Sequence, residues 1–343
     1  MIRLPAFRYH RAASVADAAA ALAGEGPGAM LLAGGTDLVP NLKRRQQTPS
    51  VVIGIRHLAE LRTSTNGRGL TLGAALSLAE VADDPRVRAQ YSALGKAAAL
   101  VATPHLRTMG TLGGNVCLDT RCNYYDQSFE WREAIDFCKK APRETGGTAC
   151  TTPTGDAVCW VAPSSPRCWA VSSTDTAPAL LALGARCMLV STEGEREIAL
   201  EDLYANDGMA HLTKRPDEVL TALRLPPLGE AWRSTYWKLR RRGAFDFPVL
   251  GVAAAVRVSI GNVVEEARVV LGAVASRPLV VPQAAELVGK PLTDTVIREF
   301  AEEAAALAKP MDNTDFSLSW RKKMVASYVA GALKELRDES VRG

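Results

Sequence analysis

A break in pattern limits this fold more than any other feature. From about Leu118 to Arg167 the hydrophobic periodicity that marks helices and strands elsewhere disappears. A segment without it cannot bury enough apolar surface to offset the entropy of ordering its backbone. The stretch carries Cys122, Cys138, Cys150 and Cys159, with Cys168 at its end, among several prolines and glycines. It reads as an insertion held by something other than a hydrophobic core. Four thiolates around a tetrahedral zinc or a [4Fe–4S] cluster would do this. The spacing is neither a zinc ribbon, since no C-x-x-C pair is present, nor the compact ferredoxin run. On spacing alone zinc and iron–sulfur stand level, with unliganded core thiols behind them.

The flanks must then form the cores, and 343 residues suffice for two or three domains. Ser14 is placed to cap a helix reaching about Ala23, with Asp17 at the capping-box position. Ala29 to Ala33 and Val51 to Ile55 read as buried strands around a helix from Leu38 to Arg45, a βαβ-like lobe ending near His57. A second lobe opens with the strand Leu70 to Ala74. Ser77 and Glu80 form a capping box, and Pro85 begins a helix supported by the apolar pattern from Val87 to Val101. Beyond the insertion come a helix, Pro178 to Leu183, and a strand, Cys187 to Val190. Pro226-Pro227 marks a boundary. After it, Gly261-Asn262 reads as a hairpin turn, followed by helices near Asp294 to Ala308 and Trp320 to Leu336. The expected class is α+β. The expected divisions are 1–57 and 58–225 for two lobes, with the insertion at about 118–169, and 226–343 for an α+β C-terminal domain.

A net charge of +4 is too small to point to nucleic acid, and the basic clusters Lys43 to Arg45 and Lys238 to Arg242 are short. The N-terminus lacks the apolar stretch of a signal peptide, and no window approaches the roughly 20 apolar residues of a membrane span. A cytoplasmic location follows as the expectation, with thiols kept reduced and so open to metal.

Two glycine-rich stretches suggest a phosphate cradle: Ala33-Gly34-Gly35-Thr36-Asp37 and Thr111-Leu112-Gly113-Gly114-Asn115. A diphosphate needs several N–H groups at close range, and glycine permits both positive φ and close approach. Neither stretch is a Rossmann fingerprint or a P-loop. No nucleophile-and-base set stands out, and the four histidines are scattered. The chain shows no side-chain catalytic set of its own, which leaves the chemistry to a bound cofactor.

Leu32-Ala33-Gly34-Gly35-Thr36-Asp37-Leu38 and Arg107-x-x-Gly110-Thr111-Leu112-Gly113-Gly114-Asn115 resemble the two FAD motifs of the medium subunits of molybdenum hydroxylases. Pro5 to His10, the Asp175-x-Ala177-Pro178-Ala179-Leu180 run, Tyr236-x-Lys238-x-Arg240 and Asp246-Phe247-Pro248 are similar to further motifs, in the same order. The resemblance implies a two-lobed FAD-binding domain with a cluster-binding insertion and an α+β C-terminal domain. Ala33 to Asp37 and Thr111 to Gly114 would hold the diphosphate of a non-covalent FAD, with Leu32 and Asn115 also in the cofactor site. Asp175 would lie near the ribityl or ribose hydroxyls and Lys238 near the flavin ring. By residue type alone, Asp175 is a helix N-cap and Lys238 a surface lysine on a strand.

The insertion resembles one branch, the flavin subunit of 4-hydroxybenzoyl-CoA reductase, on Asn115 to Ser128, Trp131-Arg132 and Arg167 to Ala170. There the resemblance implies a [4Fe–4S] cluster on Cys122, Cys138, Cys159 and Cys168. The extra Cys150 leaves Cys150 or Cys159 as the third ligand. Since both glycine motifs lie outside the insertion, FAD is expected to stay bound when the cluster is lost. The implied partners are a large molybdenum-cofactor subunit, a small [2Fe–2S] subunit and a ferredoxin donor, in a dimer of heterotrimers. Electrons would run inward to reduce an aromatic acyl-CoA. The alternative is an oxidising hydroxylase acting on an aromatic or N-heterocyclic substrate.

Overall fold

The computed structural model of the chain describes residues 2–141, 158–259, 261 and 263–339. Cys150 lies outside the described residues.

The first lobe is a parallel three-stranded sheet with Val51–Gly54 between Arg8–Arg11 and Ala29–Leu32. The central strand reads Val-Val-Ile-Gly and is buried throughout, as a parallel strand covered on both faces must be. The helix Val15–Glu25 lays Ala18, Ala19 and Leu22 against Ile53. Its N-terminus is capped by Ser14, whose hydroxyl accepts the Asp17 N–H at 3.0 Å. The Asp17 carboxylate accepts the Ala13 N–H instead, so the reciprocal half of the expected capping box is absent.

The second lobe is an antiparallel sheet in the order Ser64–Gly67, Gly69–Gly73, Val219–Leu225, Arg186–Ser191, Gly194–Ala199. The Ser77–Glu80 capping box closes in both directions. The single helix expected from Val87 to Val101 is two, Pro85–Gln90 and Ser92–Leu100. The break is Tyr91, which buries its ring while its hydroxyl donates to the Pro226 carbonyl at 2.8 Å.

The insertion leaves and rejoins this lobe at a closed stem. Arg121 and Val171 exchange both backbone hydrogen bonds, at 2.8 and 2.7 Å. Its one described helix is Phe129–Ala134.

The C-terminal part is an antiparallel sheet, Trp232–Leu239, Leu250–Val258, Val264–Gly272 and Leu279–Val280, with the helices Asp294–Leu307 and Leu318–Glu339 against it. Strand Leu250–Val258 is buried on both faces. Ala253 and Ala255 belong to the second lobe's core, whereas Val252, Ala254 and Val256 belong to the helix-covered core. The period of two thus divides one strand between two cores. Arg321 is fully buried and donates to three carbonyls, Val249, Met311 and Ala273. Among the described residues no helix is long and apolar enough to cross a membrane.

Candidate functional site

The two lobes and the C-terminal part enclose one cleft of about 930 Å³. Ala33 to Asp37, Thr111, Gly113 to Asn115, and Asp175 all line it. Leu32 and Lys238 do not lie on its wall.

The first glycine stretch joins strand Ala29–Leu32 to helix Leu38–Lys43. Gly35 has φ +71°, a conformation that favours glycine. The N–H groups of Gly35, Thr36 and Asp37 have no acceptor among the described residues. Free donors on a cleft wall are what an anionic ligand requires, since a buried N–H left unmatched is costly. The residues present therefore fit a diphosphate here.

The second stretch is built differently. The sequence reads as a loop, yet Leu112–Val116 is a short helix capped by the Thr111 hydroxyl, which accepts the Gly114 N–H at 3.1 Å. The Leu112 and Gly113 N–H groups donate to the Leu76 and Ala74 carbonyls, at 2.9 and 2.8 Å. These donors are already used. The glycines serve close packing: a Cβ on Gly113 would stand 2.7 Å from Ala74 Cβ, and one on Gly34 only 2.1 Å from the Met109 carbonyl oxygen. Gly34 thus lets the two stretches touch. Asn115 Oδ1 accepts from the Thr174 hydroxyl and from the Thr176 N–H and hydroxyl, at 2.7 to 3.0 Å, tying the second stretch to the segment bearing Asp175.

Asp175 precedes helix Thr176–Ala182 but makes no capping bond with its side chain. It pairs with Lys238 at 2.9 Å and accepts from the Tyr236 hydroxyl at 2.8 Å. Burial raises the Asp175 pKa and lowers that of Lys238, so desolvation outweighs the pairing on both sides. Lys238, buried and also donating to the Leu100 carbonyl, is no surface lysine.

The insertion lies on the cleft and not outside it. Asp119, Arg121, Asn123 and Asp126 are part of the wall. Arg121 is ion-paired with Asp37 and Asp126 and stacks 4.5 Å from the Phe247 ring centroid. Sequence reasoning missed Arg121 because Asp37 and Phe247 lie 84 positions before and 126 after it, and Asp126, five positions on, does not by itself mark a site. His211 also faces the cleft, and among the described residues its buried Nε2 has no partner. Burial, helped by the Lys140 ammonium, lowers its pKa from 6.5 to about 4.

Cys122, Cys138, Cys159 and Cys168 are all buried, and three of them pack in one cluster with Tyr125 and Ala170. Cys159 joins through a hydrogen bond with Cys168, which pulls the Cys159 thiol down to about 6 and pushes the Cys168 thiol up. The Ala170 N–H points at the Cys168 sulfur at 3.3 Å. The thiols are neighbours and not a preformed shell: among the described residues no three metal-binding side chains already stand as ligands to one ion. Cys117 and Cys187 lie elsewhere, and burial pushes both thiols up, to about 11 and about 12.

A family profile described as "FAD binding domain in molybdopterin dehydrogenase" matches residues 5–228. The chain belongs to that family. A second profile, "CO dehydrogenase flavoprotein C-terminal domain", matches residues 234–336. The chain is 30% identical to an aldehyde oxidoreductase FAD-binding subunit of Escherichia coli, over 96% of this chain and 99% of that one. It is 27% identical to the carbon monoxide dehydrogenase medium chain of Hydrogenophaga pseudoflava, over 96% of each. The structure superposes on a chain of reconstituted CO dehydrogenase from Oligotropha carboxidovorans with a TM-score of 0.77 at 25% identity, covering 97% of this chain and 98% of that one. The protein is accordingly an oxidoreductase subunit of the FAD-binding, molybdenum-hydroxylase type.

Proposed function

We propose that this chain is the flavin-bearing electron-transfer subunit of an oxidising molybdenum hydroxylase, with FAD in the cleft between the lobes. The observation that carries the reading is the cleft itself, which gathers both glycine stretches and Asp175 around unmatched N–H donors. The Gly35, Thr36 and Asp37 N–H groups bind the diphosphate. Gly34 and the short helix behind it set the distance between the lobes, and Asn115 holds the Asp175 segment in register. Bound FAD would supply a centre that accepts electrons singly from iron–sulfur clusters and pools two. This chain's part is to bind the flavin, orient it and exclude water.

Cys122, Cys138, Cys159 and Cys168 are the proposed ligands of a [4Fe–4S] cluster, supported by their convergence from distant positions in sequence. A reducing compartment such as the cytoplasm would keep these thiols available. The partners in this reading are a large subunit with the molybdenum cofactor and a small subunit with [2Fe–2S] clusters, assembled as a dimer of heterotrimers.

The relatives are dehydrogenases and oxidoreductases, which favours electrons leaving the substrate. The inward reading, from ferredoxin to an aromatic acyl-CoA as in 4-hydroxybenzoyl-CoA reductase, rests on the insertion alone. The test is anaerobic co-purification with the partner chains, flavin and metal analysis, and a flavin-reduction assay. Aldehydes and N-heterocycles should bleach the flavin absorbance. Bleaching only by reduced ferredoxin, with reoxidation by an aromatic acyl-CoA, would overturn the oxidising reading.

A further inference from the structure

We propose that Arg121 couples the thiol cluster to the flavin cradle, so that filling either site tightens the other. The proposal rests on the cluster reading above.

Arg121 precedes Cys122, and its backbone is fixed by the two hydrogen bonds to Val171. Its guanidinium reaches across to the first lobe. There it pairs with Asp37, the last residue of the glycine stretch, and donates to Asn41 Oδ1 at 3.4 Å. On the insertion side it meets Asp126 Oδ1 at 3.3 Å, while Asp126 Oδ2 accepts the Cys122 N–H at 3.2 Å. One carboxylate is therefore shared between the backbone of a thiol residue and the cation that holds the cradle. Arg121 is only 7% exposed, and its Nε has no partner among the described residues. A planar, multi-donor guanidinium suits this role, because a single ammonium cannot span two carboxylates and an amide in fixed geometry.

The insertion grips the same region through further bonds, Gln47 to Asp119 at 3.3 Å among them. Gln46 donates to the Tyr125 carbonyl at 2.7 Å and to Asp126 at 3.1 Å. Arg132 donates to the carbonyls of Arg44 and Arg45, at 2.7 and 3.0 Å. Ligation of Cys122 fixes the turn from 121 to 126, and with it the direction of Arg121 and Asp37. Loss of the cluster frees that turn. Such coupling is reciprocal, so bound FAD must also hold the cluster in place.

The experiment is a double-mutant cycle on the full chain in complex with its partners, stripped of FAD and titrated with FAD by fluorescence. The proteins are wild type, Cys159→Ser, Arg121→Gln and the double variant, each with its iron counted. Cys159→Ser removes the cluster through a ligand remote in sequence from Arg121. Each single change is expected to weaken FAD binding about tenfold, the scale of one charge-assisted contact, and the double variant no more than either alone. FAD should also slow iron loss to a chelator in wild type but not in Arg121→Gln. If Arg121→Gln does not fold, Asp126→Asn takes its place. Unchanged FAD affinity in iron-free Cys159→Ser, or single effects that multiply to about a hundredfold in the double variant, would overturn the coupling. Equal iron in wild type and Cys159→Ser would instead overturn the cluster assignment, and the proposal with it.

Discussion

A methyl group on Gly34 would overlap the Met109 carbonyl, so Gly34→Ala must push the two glycine stretches apart before any cofactor binds. The cost should be about 1–3 kcal/mol, as for other overpacked sites. Urea unfolding of the FAD-free protein measures it. Unchanged apo stability with lost flavin would show that the glycine makes room for the ligand instead. His211 gives a pH signature. Its imidazole stays neutral in the fold down to about pH 4 but takes a proton below 6.5 when unfolded. The folded pKa is depressed, so stability falls as pH drops from about 6.5 to about 4, by up to about 3 kcal/mol. Lys140 deepens this effect and Asp119 opposes it. His211→Gln should flatten the stability profile in that window, and an unaltered profile would exclude the role. The first glycine stretch was legible from residue type, because few residues other than glycine adopt the φ of +71° found at Gly35. The pairing of Asp175 with Lys238 was not, since a buried ion pair 63 positions apart leaves no local trace.

At the scale of elements, the insertion was visible as lost periodicity, and its thiols as candidate ligands. That it forms part of the cleft wall was not visible, because the contacts of Arg121, Gln46 and Arg132 are all tertiary. The helix at Leu112–Val116 was hidden for a related reason. Two adjacent glycines argue against a helix, and this one is held by the Thr111 cap and by bonds to Ala74 and Leu76. Cys122→Ser, Cys138→Ser, Cys159→Ser and Cys168→Ser should each lose iron, whereas Cys150→Ser should keep about four irons at this site. Iron analysis with low-temperature paramagnetic resonance of the reduced protein checks the set. Retention in Cys159→Ser with loss in Cys150→Ser would reassign the third ligand.

At the scale of the molecule, the order of elements followed from the Ser14 and Ser77 caps, the Pro85 start and short apolar strand runs. The sharing of cores did not. Pro226-Pro227 interrupts the chain, yet strand Leu250–Val258 faces two cores at once. Tyr236, Ala253, Ala255 and Val270 would be bare without the second lobe. Residues 226–343 expressed alone should therefore fail to reach a cooperative fold, as judged by near-UV circular dichroism and a melting transition. A sharp transition in that fragment would show that its two helices stabilise the sheet unaided.

The paired stem at Arg121 and Val171 also bears on descent. Because the insertion departs and returns through neighbouring residues, an ancestor could acquire it in one genetic event without rerouting a strand or helix. Its hold on residues 44 to 46 then works against reversal. Once the first lobe had come to depend on these contacts, deleting the segment would take Tyr125 and Asp126 from Gln46, and Arg121 from Asp37 and Asn41. Such a segment is easy to gain and hard to shed, and substitutions at its stem and on the Leu38–Lys43 helix should be inherited together.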